Sequence, residues 1–215
     1  MKKTVKGCLA ILALSAVASL AQAAQPGTYA GLGLGWSKLE ANNPFNDIAG
    51  TSMSRKSTQT GAAGRLFAGY NFNQNVGVEA GLAKYADADL KATYTQGGNS
   101  LTAKQSYKLS SLDVVAKGYL PVSDSGFNVY GLAGLALVHS KATLAASGAV
   151  NDKETKTQNK IRPIYGIGAS YDIPQTKLAT NLEFTRIQGY GNTKTNKSAI
   201  PNADLVTLNL VYNIG

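Results

Sequence analysis

Three bases and three acids stand out in this 215-residue chain as groups able to do chemistry together: Arg65, Glu79, Asp113, Lys117, Arg162 and Glu183. All but Arg162, which follows Lys160 by two residues, are single charges among apolar, small or uncharged polar neighbours. Charges enclosed in one space persist only as ion pairs, because an unpaired buried ion costs several kcal/mol. The chemistry such a set offers is self-neutralisation, as a structural plug or as a gate. A second possibility is a base-activated hydroxyl, since the one histidine, His139, is followed directly by Ser140. A nucleophile and its base must share a proton, yet adjacent residues of a strand point to opposite sides. We therefore expect no catalytic residues and no enzyme. One histidine and no cysteine after Cys8 offer no metal-ligand cluster. The glycines follow strand spacing without a helix after them, so no phosphate loop and no cofactor are expected either.

Eight segments alternating with a period of two must position these groups. Ala30, Leu32, Leu34 and Trp36 oppose Gly31, Gly33, Gly35 and Ser37. Leu66, Ala68, Tyr70 and Phe72 oppose Arg65, Phe67, Gly69 and Asn71, and Val76, Val78, Ala80 and Leu82 oppose Gly77, Glu79 and Gly81. Leu112, Val114, Ala116 and Leu120 oppose Asp113, Lys117 and Tyr119. The stretch from Phe127 to His139 is apolar on both faces, which leaves its orientation open. Tyr165, Ile167, Ala169 and Tyr171 oppose Arg162, Gly166, Gly168 and Ser170; Leu178, Thr180, Leu182 and Phe184 oppose Asn181 and Glu183. Val206, Leu208, Leu210, Tyr212 and Ile214 oppose Thr207, Asn209 and Asn213.

Residues 1–23 are of another kind. Lys2, Lys3 and Lys6 precede an apolar stretch from Leu9 to Leu20, which ends in Ala21-Gln22-Ala23. This is the pattern of a cleaved secretory signal. We expect a signal peptide over 1–23 and one domain over 24–215, without cysteine and so without disulfides. Beyond residue 23 no run approaches the roughly 20 apolar residues of a membrane helix. The formal charge of +9 is also unevenly spread. Three bases belong to the signal, and 14 bases with 7 acids lie in 39–61, 83–111, 139–162 and 186–204. That one-sided collar points to an anionic outer leaflet rather than to nucleic acid.

The links between the segments alternate in length. Asn73-Gln74-Asn75, Val122 to Gly126 and Pro174 to Thr176 are short and built from turn-forming residues. The links over 39–61, 85–109, 140–160 and 187–203 are long, which is unusual in a compact soluble domain and usual for the outer loops of membrane barrels. The apolar faces carry aromatic residues near the segment ends: Tyr70, Phe72, Phe127, Tyr171 and Tyr212 beside short turns, Trp36 beside a long link. That placement suits the two interfacial girdles of a barrel. The fold expected is all-β: an eight-stranded antiparallel transmembrane barrel with short periplasmic turns and four long extracellular loops.

The run Gly31-Leu32-Gly33-Leu34-Gly35-Trp36-Ser37 resembles the first strand of the OmpA-type transmembrane domain of Gram-negative outer membranes, and residues Gly69 to Gly81 resemble its first hairpin. Ala116-Lys117 before Pro121, Ala179-Thr180 with Leu182-Glu183-Phe184, and the closing Leu208, Leu210 and Tyr212 are similar in type and order. The chain stops at Gly215, before any peptidoglycan-binding domain, so cell-wall anchoring is not expected, and it ends on Ile214-Gly215 rather than on an aromatic residue. The resemblance implies an interior ionic cluster that restricts a water path. At the matching positions of the sixth and seventh segments stand Ser170 and Asn181, both uncharged, so only half of such a gate is expected. Glu79 and Lys117, each four residues from a short turn, are expected to pair. The function expected is a monomeric outer-membrane barrel with a structural or surface-interaction role. Its partners would be outer-membrane lipid and lipopolysaccharide, or a host or phage surface ligand. A narrow pore or small-molecule transporter is the alternative, and a lipid A-modifying enzyme is the remote one.

Overall fold

Alternation along the chain pairs into ten strands: β1 (Gly27–Glu40), β2 (Ser52–Thr58), β3 (Thr60–Asn71), β4 (Val76–Lys84), β5 (Ala88–Gln96), β6 (Asn99–Pro121), β7 (Phe127–Ser147), β8 (Asp152–Asp172), β9 (Leu178–Ile187) and β10 (Asn202–Asn213). The computed structural model describes residues 24–41, 45, 52–97, 99–122, 126–147, 152–191 and 199–214. The expected signal peptide over 1–23 lies outside the described residues, as does the centre of the Val122 to Gly126 turn.

Eight strands close a ring in the order β6-β4-β3-β1-β10-β9-β8-β7, and β7 pairs back onto β6. All pairings are antiparallel. From Tyr29 the cross-strand partners run Gly69, Glu79, Val115, Gly134, Ile164, Ile187, Ala203 and back to β1 at Leu39, ten residues further on. This stagger tilts the strands by about 40° from the barrel axis. Residues level with one another across the lumen are therefore not direct ladder partners. At the periplasmic turns, side chains replace missing ladder bonds. Asn73 Oδ1 accepts from the amides of Asn75 and Val76 at 2.8 and 2.9 Å.

The ring separates two surfaces. Outside stand Leu34, 71 % exposed, with Leu32, Leu66, Leu82, Leu135, Ile167 and Leu208. A soluble domain would bury such side chains, and a barrel turns them to lipid. Inside, the extracellular half is apolar, packed from Leu39, Tyr85, Leu109, Val138, Ile187 and Leu205, with Phe45 and Ile200 against them. On β7 the even residues face in and the odd ones out, which settles the orientation that its composition leaves open.

Much of what reads as long loops is in fact strand. β7 and β8 each run for 21 residues, about twice what is needed to cross a bilayer. β5 continues β4 after a break at residues 85–87, and β2 leads into β3 across Gln59. The ladder slips by one residue at this joint, since Gly64 faces Lys84 below it and Thr58 faces Asp89 above. The physical cause is alternation in a polar register: Leu90 and Ala92 are buried, while Lys91 between them is exposed, and Thr is a good strand former. An open sheet of β2, β5 and the upper parts of β6, β7 and β8 thus stands above the barrel. Its β8 edge begins at Pro163, just beyond the last pairing with β9 at Ile164. Proline has no N–H to leave unpaired on such an edge.

Candidate functional site

The periplasmic half of the lumen holds a network of five charges. Arg65 reaches in from β3, Glu79 from β4, Asp113 and Lys117 from β6, and Glu183 from β9; none is more than 3 % exposed. Arg65 is the hub: its Nη2 donates to Asp113 Oδ1 at 2.6 Å, and its Nη1 lies 2.6 Å from Glu183 Oε1 and 2.9 Å from Glu79 Oε1. Lys117 Nζ joins the same two glutamates, 2.7 Å from Glu79 Oε2 and 3.0 Å from Glu183 Oε2. Two tyrosines complete the acceptor shell. Tyr29 Oη donates to Glu79 Oε2 at 3.0 Å, and Tyr130 Oη donates to Glu183 Oε2 at 2.9 Å. The Lys117 ammonium also lies 4.8 Å from the centre of the Tyr130 ring, a distance at which cation and ring attract.

Strand tilt explains the partners. Glu79 has Val115 as its ladder neighbour and Gly77 has Lys117, so the Glu79–Lys117 contact is diagonal. Glycines make room on the facing walls. A Cβ at Gly81 would sit 2.7 Å from Arg65 Nη2 and 2.9 Å from Asp113 Oδ1, and one at Gly168 would enter the Tyr130 ring.

Five of the six sequence-predicted charges meet here; Arg162 does not. It faces the right side of β8, but near the extracellular rim, where its Nε and Nη2 donate to the carbonyls of Gln188 and Gly189 at 2.8 and 2.6 Å. β9 ends at Ile187, so these carbonyls lack ladder partners and take the guanidinium instead. The half-gate expectation also needs correction. Ser170 and Asn181 pair with each other near the periplasmic end, and Glu183, two residues further along β9, brings that strand's charge to Lys117. Ser170 and Asn181 instead line a cavity of about 30 Å³ with Tyr29, Asn71 and Tyr119. Tyr29 and Tyr130 are missed by the sequence reading, although Tyr29 shares the inward parity of Gly31 and Gly33.

The predicted girdle residues all lie on the outer surface. Trp36, Tyr70, Phe72, Phe127 and Tyr212 are exposed and Tyr171 is half-buried, stacked 4.8 Å from Phe127. His139 faces outward with Nδ1 2.7 Å from Asn159 Oδ1, while Ser140 is buried inside the wall. At the extracellular rim Glu40 accepts from Asn202 and Arg186 at 3.1 and 2.6 Å. The Asn202 bond first, and then the Arg186 charge, hold its carboxyl below the usual range.

The sequence matches a family model described as outer membrane protein beta-barrel domain over residues 7–213. Among solved structures, the chain is similar to Neisserial surface protein A at a TM-score of 0.53 and 14 % identity, covering 87 % of this chain and 97 % of that one. It is also similar to the N-terminal β-barrel domain of Pseudomonas aeruginosa OprF at 0.49 and 12 %, covering 88 % and 98 %. A further likeness is to Ail, the attachment invasion locus protein of Yersinia pestis, solved with the heparin analogue sucrose octasulfate, at 0.46 and 12 %, covering 87 % and 100 %. No curated protein matches the sequence.

Proposed function

Because this chain belongs to the outer-membrane β-barrel family, we propose that it is a plugged, non-conducting barrel that holds a basic β-sheet at the bacterial surface, with a structural and surface-interaction role. The observation that carries this reading is the filling of the lumen. Five buried charges bonded to one another occupy its periplasmic half, and an apolar core occupies the half above. A water-filled pore would instead keep its polar groups hydrated. What remains free for interaction is the extracellular sheet, and its strands β5 to β8 carry most of the basic collar. In this reading residues 1–23 are cleaved on export, the barrel acts as a monomer, and neither His139 nor Ser140 has a catalytic part.

The narrow pore is the second reading, favoured by the polar cavity of about 30 Å³ at the periplasmic mouth. One pair of variants separates the two. Replacing residues 89–105 and 142–156 each by a short turn removes both hairpins of the sheet but leaves the ring. Cells carrying that variant should lose envelope robustness to detergent or retention on anionic surfaces, while cells carrying Lys117→Met together with Glu79→Gln, which removes a cation and an anion at once, keep both. A phenotype that instead follows Lys117, together with altered small-solute uptake, would support the pore.

A further inference from the structure

On the outer face of the wall, cross-strand pairing lines up residues that are far apart in sequence. Lys56 on β2 pairs with Lys91 on β5, Lys91 with Lys104 on β6, Lys104 with Ala145 on β7, and Ala145 with Lys153 on β8. Four lysines therefore share one row and one face across five strands. Lys108 and Lys141 face each other two rows below, beyond the Ser106–Thr143 pair. Like charges directly opposite one another on neighbouring strands are destabilising. Lys104 and Lys108 are relieved by Asp89 at 3.1 Å and Asp87 at 3.0 Å. Lys56, Lys91, Lys141 and Lys153 make no ion pair among the described residues. The fold thus brings cations together, and among the described residues only Lys104 and Lys108 of these six are neutralised. Lys56, Lys91 and Lys104 line a depression of about 480 Å³ together with Asp89, and Thr58, Thr102 and Ser147 also open into it.

Below this basic region, the same face is built for lipid. Leu32, Leu34, Leu66, Leu82, Leu112 and Leu137 surround a groove of about 690 Å³ where Gly64 presents no side chain. The groove is bounded above by a polar row, Lys84, Ser110, His139 and Asn159, paired in succession across β4, β6, β7 and β8. Going up the wall, the tiers are an apolar groove, an amphipathic row with one cation, and then two lysine tiers with hydroxyl neighbours.

We propose that this outward face, spanning β1 to β8, docks a phosphorylated glycolipid of the surrounding outer leaflet. Its acyl chains lie in the leucine groove, its membrane-proximal phosphate meets Lys84 and His139, and its outer sugar phosphates meet Lys56, Lys91, Lys104 and Lys153. The assignment rests on the reading of the chain as an inserted barrel with a surface role. Orientation decides between a lipid and a soluble polyanion. The lysines face sideways, in line with the lipid-facing leucines, so a molecule standing beside the wall in the same leaflet meets every tier. A polymer arriving from solution would gain nothing from the groove or the Lys84 row.

The test uses the full-length chain refolded into phosphatidylcholine vesicles. Native protein is compared with a K56Q/K91Q/K104Q triple variant, which removes repulsion and so should fold and show the native heat-dependent gel shift. Binding of lipopolysaccharide, of enzymatically dephosphorylated lipopolysaccharide, of heparin and of inorganic phosphate is then measured. Native protein should prefer phosphorylated lipopolysaccharide to the other three, and the triple variant should lose roughly a factor of 100 in that affinity. Equal affinity of native and triple variant, both inserted, overturns this inference alone. Heparin or inorganic phosphate bound as tightly as lipopolysaccharide overturns the glycolipid assignment. Absence of any heat-dependent shift in the native protein overturns the underlying barrel reading, and this inference with it.

Discussion

Arg65 and Lys117 do different work, and their replacement should have different consequences. Arg65 presents a planar fork to three carboxylates on three strands, Glu79, Asp113 and Glu183, which suits a guanidinium better than a point charge. Lys117 bridges only the two glutamates. Lys117→Met would leave both buried with Arg65 as their one cation, and should cost about 3–5 kcal/mol of unfolding free energy. The double variant Lys117→Met with Glu79→Gln removes a cation and an anion while keeping an acceptor for Tyr29, and should recover a large part of that loss. Urea unfolding of vesicle-inserted protein checks both; equal midpoints for the single and double variants would show that the network is uncoupled. At this scale the sequence told which face a charge occupies but not its height. A lone Arg, Glu, Asp or Lys on the small-residue side of an alternating segment has only the lumen to enter, and that holds for Arg65, Glu79, Asp113, Lys117 and Glu183. Arg162 obeys the same parity, yet its level depends on where β9 stops, which alternation does not encode. Tyr130 was hidden because β7 is apolar on both faces.

Strands set that height through their stagger, and glycines set how closely the walls approach. Gly81 faces the Arg65–Asp113 pair, whereas a Cβ at Gly131, on the outside of β7, would meet nothing within 4 Å. Gly81→Ala should therefore displace Arg65 and cost about 1–3 kcal/mol, as overpacking does, while Gly131→Ala leaves the unfolding midpoint unchanged. Equal effects at the two positions would mean that strand entropy, and not the close approach, decides. The eight ring segments were legible because lipid on one side and a packed lumen on the other enforce alternation. The extensions were harder to read. Lys91-Ala92-Thr93-Tyr94-Thr95 alternates as well, but its outer face is Lys and Thr, a composition shared with loops. Its inner face is small, with Ala88, Leu90 and Ala92 buried over the mouth of the barrel. The one-residue slip at residues 85–87 also breaks the period where the sheet leaves the ring.

For the molecule as a whole, one eight-stranded ring carries two separate jobs on its two surfaces. The inside is committed to stability, with charges neutralising one another below and apolar side chains packed above. The outside grades from leucine to lysine along the same strands, and the positive formal charge of the chain is concentrated there and at the rim. A gate would need the inner network to open, which means parting Lys117 or Arg65 from glutamates on β4 and β9 at once. The central claim, a barrel plugged by that network, is tested most directly by single-molecule conductance in a planar bilayer, comparing native protein with Lys117→Ala. The native chain should insert, as judged by its heat-dependent gel shift, and pass no stable ionic current. A steady conductance in the native chain that is abolished in Lys117→Ala would contradict the account and make the barrel a pore.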